Sequence, residues 1–177
     1  CQHVDNDAFN SFSDFLRWFA EWLVSEIDLP EADERLREAW ARPGSADNSL
    51  TWLLDRYVFP QSALIYLALA NVDRLEHWPH RTALFALLRS WMERRSKNWQ
   101  RLRLLVTVGT EAALLEDVGR SSFFAMTPIV PLGFFDTDQL RRMAQLHYLE
   151  TTDEDITRLH DLVGGHPYLS RVAIFQA

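Results

Sequence analysis

The chain predicts an α/β fold built on a parallel sheet, and three observations support that class. First, an apolar run over residues 63–70 is flanked by Pro60 and by charged residues, which is typical of a strand covered on both faces. Second, a similar apolar run follows at residues 102–108. Third, segments of helical periodicity alternate with these runs, and such alternation predicts βαβ crossovers between parallel strands.

The residues before the first strand predict helices. Apolar side chains recur every three or four positions over residues 7–28, with Asn6 or Asp7 as the N-cap. A charged helix at 31–42 and a short helix at 50–57 complete this part. After the strand, we expect a helix over residues 81–95, the second strand, and a short helix at 112–118.

The last third of the chain changes character. A short third strand is predicted at residues 129–132, between Pro128 and Pro131. Beyond it, Asp136 with Gln139 and Thr152 with Asp155 have capping-box spacing and predict helices at 137–147 and 153–163. Gly164 suits a helix C-cap, and Pro167 suits the first turn of a final helix. We therefore expect an α/β core over residues 1–134 and a helical unit over residues 135–177.

Composition limits the classes of partner and compartment. The net charge of −7 argues against general affinity for nucleic acid, and no apolar run reaches the length of a transmembrane helix. The single cysteine, Cys1, fits a reducing compartment, so we expect a cytoplasmic protein. A first residue other than Met favours a chain that begins inside a longer protein; a lipid-anchored cysteine is the alternative.

Ligands of parallel sheets bind at the carboxyl ends of the strands, where residues 71–74 lie. Magnesium-assisted hydrolysis calls for an Asp with a neighbouring Glu at that place, but Ala70 and Asn71 stand there. Asp73 is the candidate catalytic acid; the alternative is that it pairs with Arg74 or caps a turn. The six histidines show no ligand spacing, so no metal site is expected.

Other candidate residues follow the second strand. Thr110 suits a contact to a phosphate or a water, or a cap on the next helix. Arg120 suits an arginine finger across a subunit boundary, or a solvated loop. Six basic residues between Arg89 and Arg103, with two tryptophans interleaved, suit nucleic acid or an acidic partner, or else a solvated helix end.

Phosphate binding has no local motif here. A P-loop needs a glycine-rich turn followed by Lys and Ser or Thr, and Lys97, the one lysine, has no glycine near it. The sequence therefore contains no P-loop.

Four segments in this order resemble the AAA-like domain family, P-loop proteins related to AAA+ ATPases and STAND NTPases. They are residues 67–75, 87–91, 102–111 and 162–169, and Leu-Val-Gly-Gly-His-Pro-Tyr-Leu at 162–169 is the most distinctive. The resemblance implies a P-loop NTPase-like parallel sheet followed by a helical lid. Residues 63–70 would be the Walker B strand, and the first strand, which carries Walker A, would be missing from this sequence.

The resemblance also implies a ligand and its site. Gly165, His166 and Pro167 would lie near the adenine of ATP, and Thr110 near its γ-phosphate. The family commonly has Asp-Glu at the positions of Ala70 and Asn71, so magnesium would bind only with a Walker A loop supplied upstream.

We expect an ATP-binding switch in signalling or defence, with weak or absent hydrolysis, fused to effector or sensor domains and able to form homo-oligomers. One alternative is a degenerate interaction module that binds no nucleotide. Another is an active ATPase that uses Asp73 as a displaced acid.

Overall fold

The computed structural model describes residues 9–109 and 123–176. The chain divides into two compact units, residues 1–128 and residues 129–177. The first contains helices and a two-stranded parallel sheet, and the second is helical in its described part. The predicted mixed α/β class is confirmed.

Three helices precede the sheet in the first unit: α1 (Phe12–Glu26), α2 (Ala32–Ala41) and α3 (Ala46–Leu53). The chain enters α1 at Ser11, whose hydroxyl accepts a hydrogen bond from the Asp14 N–H at 3.0 Å. The predicted caps Asn6 and Asp7 lie outside the described residues, but the predicted helix start at residue 7 is wrong, because residues 9–11 are not α-helical and Ser11 caps α1. A one-turn π-helix (Leu54–Val58) extends α3 without a break.

The sheet has two parallel strands, β1 (Ile65–Leu69) and β2 (Leu102–Val106), joined by α4 (Arg81–Glu93). Alternate side chains of β1, including Leu67, face the core of the unit. The prediction that the first strand is buried on both faces is wrong. Tyr66 and Leu105 lie on the opposite face with 77% and 62% exposure, since none of the described elements covers it.

The core of the first unit is mainly helical. Phe19, Leu50 and Leu88, from α1, α3 and α4, are buried together with Leu67. The Trp91 indole N–H donates to the Thr51 hydroxyl at 2.9 Å, so a polar atom within this core is satisfied.

The third strand predicted at residues 129–132 is wrong. This segment has no regular structure, and Leu132 within it is 93% exposed. Pro128 and Pro131 lack N–H donors, and a strand forms only beside a partner that accepts and donates backbone hydrogen bonds. The helix predicted at 112–118 lies outside the described residues.

The second unit contains α5 (Thr137–Leu146), α6 (Asp153–Val163) and α7 (Pro167–Gln176). Both predicted capping boxes are confirmed: Asp136 and Gln139 bond reciprocally at the start of α5, as Thr152 and Asp155 do at the start of α6. The small core of this unit consists of four buried residues, Leu140, Ala144, Ile156 and Ile174. No helix in the described ranges is both long and apolar enough to span a membrane.

Candidate functional site

Thr107, which directly follows β2, joins the carboxyl ends of β1 and β2 through one hydrogen bond that it donates and two that it accepts. Its N–H donates to the Leu69 carbonyl at 2.9 Å, and its carbonyl accepts from the Val72 N–H at 3.1 Å. Its hydroxyl accepts from the Asn71 N–H, also at 3.1 Å. Asn71 has φ of +56°, a left-handed conformation that Asn adopts more readily than most residues. Asn71 thus forms the turn that ends β1.

Asp73 extends this connection between the two strand ends. Its Oδ1 atom accepts a hydrogen bond from the Gly109 N–H at 2.9 Å. A Cβ placed on Gly109 would lie 3.2 Å from Asp73 Oδ2, a tight contact that favours glycine there. We refer to Leu69, Asn71, Val72, Asp73, Thr107 and Gly109 together as the strand clasp.

The strand clasp bears on the two roles that the sequence leaves open for Asp73. The carboxylate is half-buried and bonded to a backbone N–H, and no ion pair with Arg74 is present among the described residues. It therefore caps the end of the neighbouring strand. Its second oxygen has no described hydrogen-bond partner, so a role toward a ligand is compatible with this geometry.

Two predicted site residues cannot be placed in this geometry. Thr110 and Arg120 lie outside the described residues. Thr110 directly follows Gly109 in the sequence. Among the described residues, no group of three or more His, Cys, Asp or Glu could hold a metal ion.

The second predicted site lies in the helical unit, between α6 and α7. Gly164 ends α6 at φ of +61°, and Gly165 continues the turn at φ of +70°. The Gly165 carbonyl accepts a hydrogen bond from the Phe135 N–H at 2.8 Å. A Cβ on Gly165 would lie 2.0 Å from the Phe135 carbonyl oxygen, so only glycine fits against that backbone.

An aromatic pair lies beside this turn. The His166 ring stacks on Phe134, with ring centroids 5.7 Å apart and an interplanar angle of 29°. Phe134 is 70% exposed, and Tyr168, in the first turn of α7, is also exposed. Pro167 begins α7 and fixes the backbone after His166. We call Phe134, Gly165, His166 and Pro167 the ring platform, because planar groups are available there for stacking.

Sequence reasoning missed part of each arrangement. No sequence motif marks Thr107 or Phe134, because each acts through a residue far away in the chain. Thr107 forms a hydrogen bond with Asn71, 36 positions before it. Phe134 stacks on His166, 32 positions after it. Asn71 could have been found, since an Asn directly after an apolar strand is a frequent left-handed turn residue. Asp73 lies in the first unit and the ring platform in the second.

Comparison with known proteins decides the family. The family model of the AAA-like domain matches residues 1–177, the whole chain. The chain belongs to the AAA-like domain family. Neither the curated proteins nor the solved structures contain a match to it.

In this AAA-like domain, the described residues of the four segments that carry the resemblance fall on helices, strands and the turns next to them. The first segment lies on β1 and the turn after it, and the second lies on α4. The first half of the third segment is β2, and its last two residues lie outside the described residues. The fourth spans the end of α6, the glycine turn and the start of α7. Family membership makes nucleotide binding a general expectation for this domain.

Proposed function

We propose that this AAA-like domain is the C-terminal part of a cytoplasmic ATP-binding switch that hydrolyses ATP weakly or not at all. Its lid would close over bound nucleotide and change contacts to fused effector or sensor domains. The observation that supports this most is the ring platform. There the stacked rings of Phe134 and His166 are exposed, and such flat ring faces suit stacking with a purine base.

The phosphates and magnesium need groups that these residues do not supply. No glycine-rich loop followed by Lys and Ser or Thr occurs in residues 1–177, so the proposal requires such a loop from elsewhere in the polypeptide. Weak hydrolysis follows from Ala70 and Asn71, which replace the acids that would hold magnesium and orient water. Thr110 and Arg120 remain proposals for contacts to the γ-phosphate and across a subunit boundary.

The direct test is calorimetric titration of ATP into the full-length polypeptide that contains this domain. His166→Ala removes one ring of the platform, and we expect about tenfold weaker binding, in line with the loss of one aromatic stacking contact. Tyr148→Ala is the matched control, since Tyr148 is 96% exposed and lies outside the platform. Equal affinity of wild type and His166→Ala would reject the platform as the base site.

A degenerate interaction module is the second candidate function. It is favoured by large apolar side chains exposed on the second unit, among them Leu146, Leu162 and Phe175 at about 80% exposure each. The same titration separates the two functions, because this module would show no heat of ATP binding in wild type.

The third candidate function is an active ATPase that uses Asp73 as its catalytic acid. Turnover that depends on magnesium and is abolished by Asp73→Ala would favour it. For the switch, we expect any residual ATPase rate to be unchanged by Asp73→Asn, which keeps the hydrogen bond to Gly109 but removes the charge.

A further inference from the structure

A basic surface lies between the end of α4 and the start of β2. Residues 89–103 contain six of the chain's 18 Lys and Arg but one carboxylate, Glu93, so this segment carries +5 and the remainder −12. Glu93 is paired with Arg89 at 2.9 Å. We define the basic surface by its four exposed cations, for which the described residues supply no carboxylate partner: Arg94, Arg95, Lys97 and Arg103.

The basic surface rests on a rigid support. The Trp99 ring is buried between Phe59 and Trp91, at centroid distances of 4.7 and 5.7 Å. Asn98 donates to the Asp55 carbonyl at 3.1 Å, and the Arg94 guanidinium lies 5.1 Å from the Trp99 ring centroid. Because this backbone is held in place, a partner that binds the cations loses little loop entropy.

The same unit carries a complementary acidic surface where α1 leads into α2. Residues 26–38 contain six carboxylates and two arginines, a net charge of −4. Glu31 pairs with Arg35 at 2.9 Å, and Glu38 accepts a hydrogen bond from Tyr57. Four exposed carboxylates are left without a described cation partner and define the acidic surface: Glu26, Asp28, Asp33 and Glu34.

The two surfaces belong to one compact unit and do not neutralise each other. The π-helix lies between the segments that carry them: Tyr57 bonds to Glu38 on one side, and Asp55 accepts from Asn98 at 3.2 Å on the other. No described ion pair joins residues 26–38 to residues 89–103. Within the described residues, the basic and acidic surfaces therefore have opposite charges but form no ion pair with each other in the same molecule.

We propose that a second copy of this chain docks its acidic surface on the basic surface. Unpaired charges of opposite sign attract a second copy at low ionic strength, and the arginines can bind carboxylates in bidentate geometry. Single-stranded nucleic acid fits less well, because Trp91 and Trp99 are buried and offer no ring for base stacking. This contact requires no nucleotide.

Sedimentation velocity of the full-length polypeptide tests the contact across a concentration series at low and high salt. We expect the weight-average sedimentation coefficient of wild type to rise with concentration at low salt and to stay at the monomer value at high salt. The triple variant Arg94→Glu, Arg95→Glu, Lys97→Glu reverses the basic surface. We expect its self-association at low salt to be at least about tenfold weaker.

Two further variants keep the test independent of folding and of net charge. Arg95→Glu with Lys97→Glu leaves Arg94 on Trp99 and should weaken association in the same direction. Arg142→Glu with Arg158→Glu and Arg171→Glu makes the same charge change on exposed positions of the second unit. That control should lower association far less than the basic-surface triple.

A charge-reversal experiment tests whether the acidic surface is the partner of the basic surface. Glu26→Lys with Asp28→Lys and Glu34→Lys reverses the acidic surface, and a mixture of this variant with the basic-surface triple should associate again. A wild type that stays monomeric at low salt would overturn the proposal, as would a mixture that stays monomeric. So would salt-dependent binding of a 20-nucleotide single-stranded DNA by a wild type that does not self-associate.

Discussion

At the scale of single residues, two positions favour glycine because an atom of another segment leaves little room for a side chain. Gly109 and Gly165 are each required by an oxygen atom of another segment, Oδ2 of Asp73 and the carbonyl oxygen of Phe135. The sequence marks both positions with glycine but gives no sign of the atoms that approach them. From the sequence alone, one can predict that another atom comes close to the backbone at each glycine, but not which atom it is.

The glycines of the second unit allow a graded test of that approach. Gly133→Ala should be nearly neutral, since nothing lies within 4 Å of its Cβ. Gly164→Ala should cost about 1 kcal/mol of unfolding free energy, because the site is open but its φ is positive. Gly165→Ala should cost more than about 2 kcal/mol, since it adds a collision with backbone to the same positive φ. Denaturant unfolding of the three variants checks this order, and equal costs for Gly164→Ala and Gly165→Ala would refute it.

Asp73 and Gly109 allow a coupling test of the strand clasp. Asp73→Ala removes the acceptor of the Gly109 N–H and should cost about 1 kcal/mol of unfolding free energy. Asp73→Asn keeps an acceptor oxygen and should cost less. Gly109→Ala should be destabilising in wild type and close to neutral in the Asp73→Ala background, because the crowding oxygen is then gone. Strictly additive costs in this double-mutant cycle would mean that the two residues do not interact.

At the scale of elements, the starts of α5 and α6 are the most predictable features, whereas the start of α1 and the third strand are not predictable from local pattern. The spacing of Asp136 with Gln139, and of Thr152 with Asp155, encodes capping within four residues, so no distant partner is needed. A strand at residues 129–132 depends on a neighbour that no local pattern specifies. The same dependence explains why the outer face of the sheet, with Tyr66 exposed, was wrongly predicted to be buried.

The cap of α6 links this element to pH. The Thr152 hydroxyl and then its N–H, both bonded to the Asp155 carboxylate, lower the pKa of Asp155 below its usual value of 3.8. The carboxylate form therefore stabilises the helix above that value, and the contribution is lost as pH falls through the lowered pKa. Thr152→Ala should cost about 1 kcal/mol near neutral pH.

Helix content of the second unit, followed by circular dichroism between pH 6 and pH 2, measures this effect. We expect wild type to lose more stability than Thr152→Ala over the acidic end of that range, because the variant has already lost the cap. Thr157→Ala, which removes a hydroxyl bonded to the Asp153 carbonyl within the same helix, is the matched control. A pH dependence that is the same in wild type and Thr152→Ala would contradict the assignment.

At the scale of the whole molecule, the chain has two compact units and a sheet with one apolar face that no element within residues 9–109 and 123–176 covers. Parallel strands are normally covered on both faces, so the sheet is expected to be marginal without further cover. We predict poor solubility or partial unfolding of this chain alone, with a calorimetric enthalpy that differs from the van't Hoff enthalpy. A sharp two-state melt of the isolated chain would show that the prediction is wrong.

The hydrogen bond between Phe135 and Gly165 has a mechanical consequence. It joins two positions that are 30 residues apart. The segment between them, which contains α5, α6 and the turn after α6, is therefore a loop whose two ends are hydrogen-bonded to each other. Force applied to the chain ahead of Phe135 reaches Gly165 through this bond without first having to stretch the two helices between them. Because of this hydrogen bond, the start of α5 and the start of α7 should move together under load.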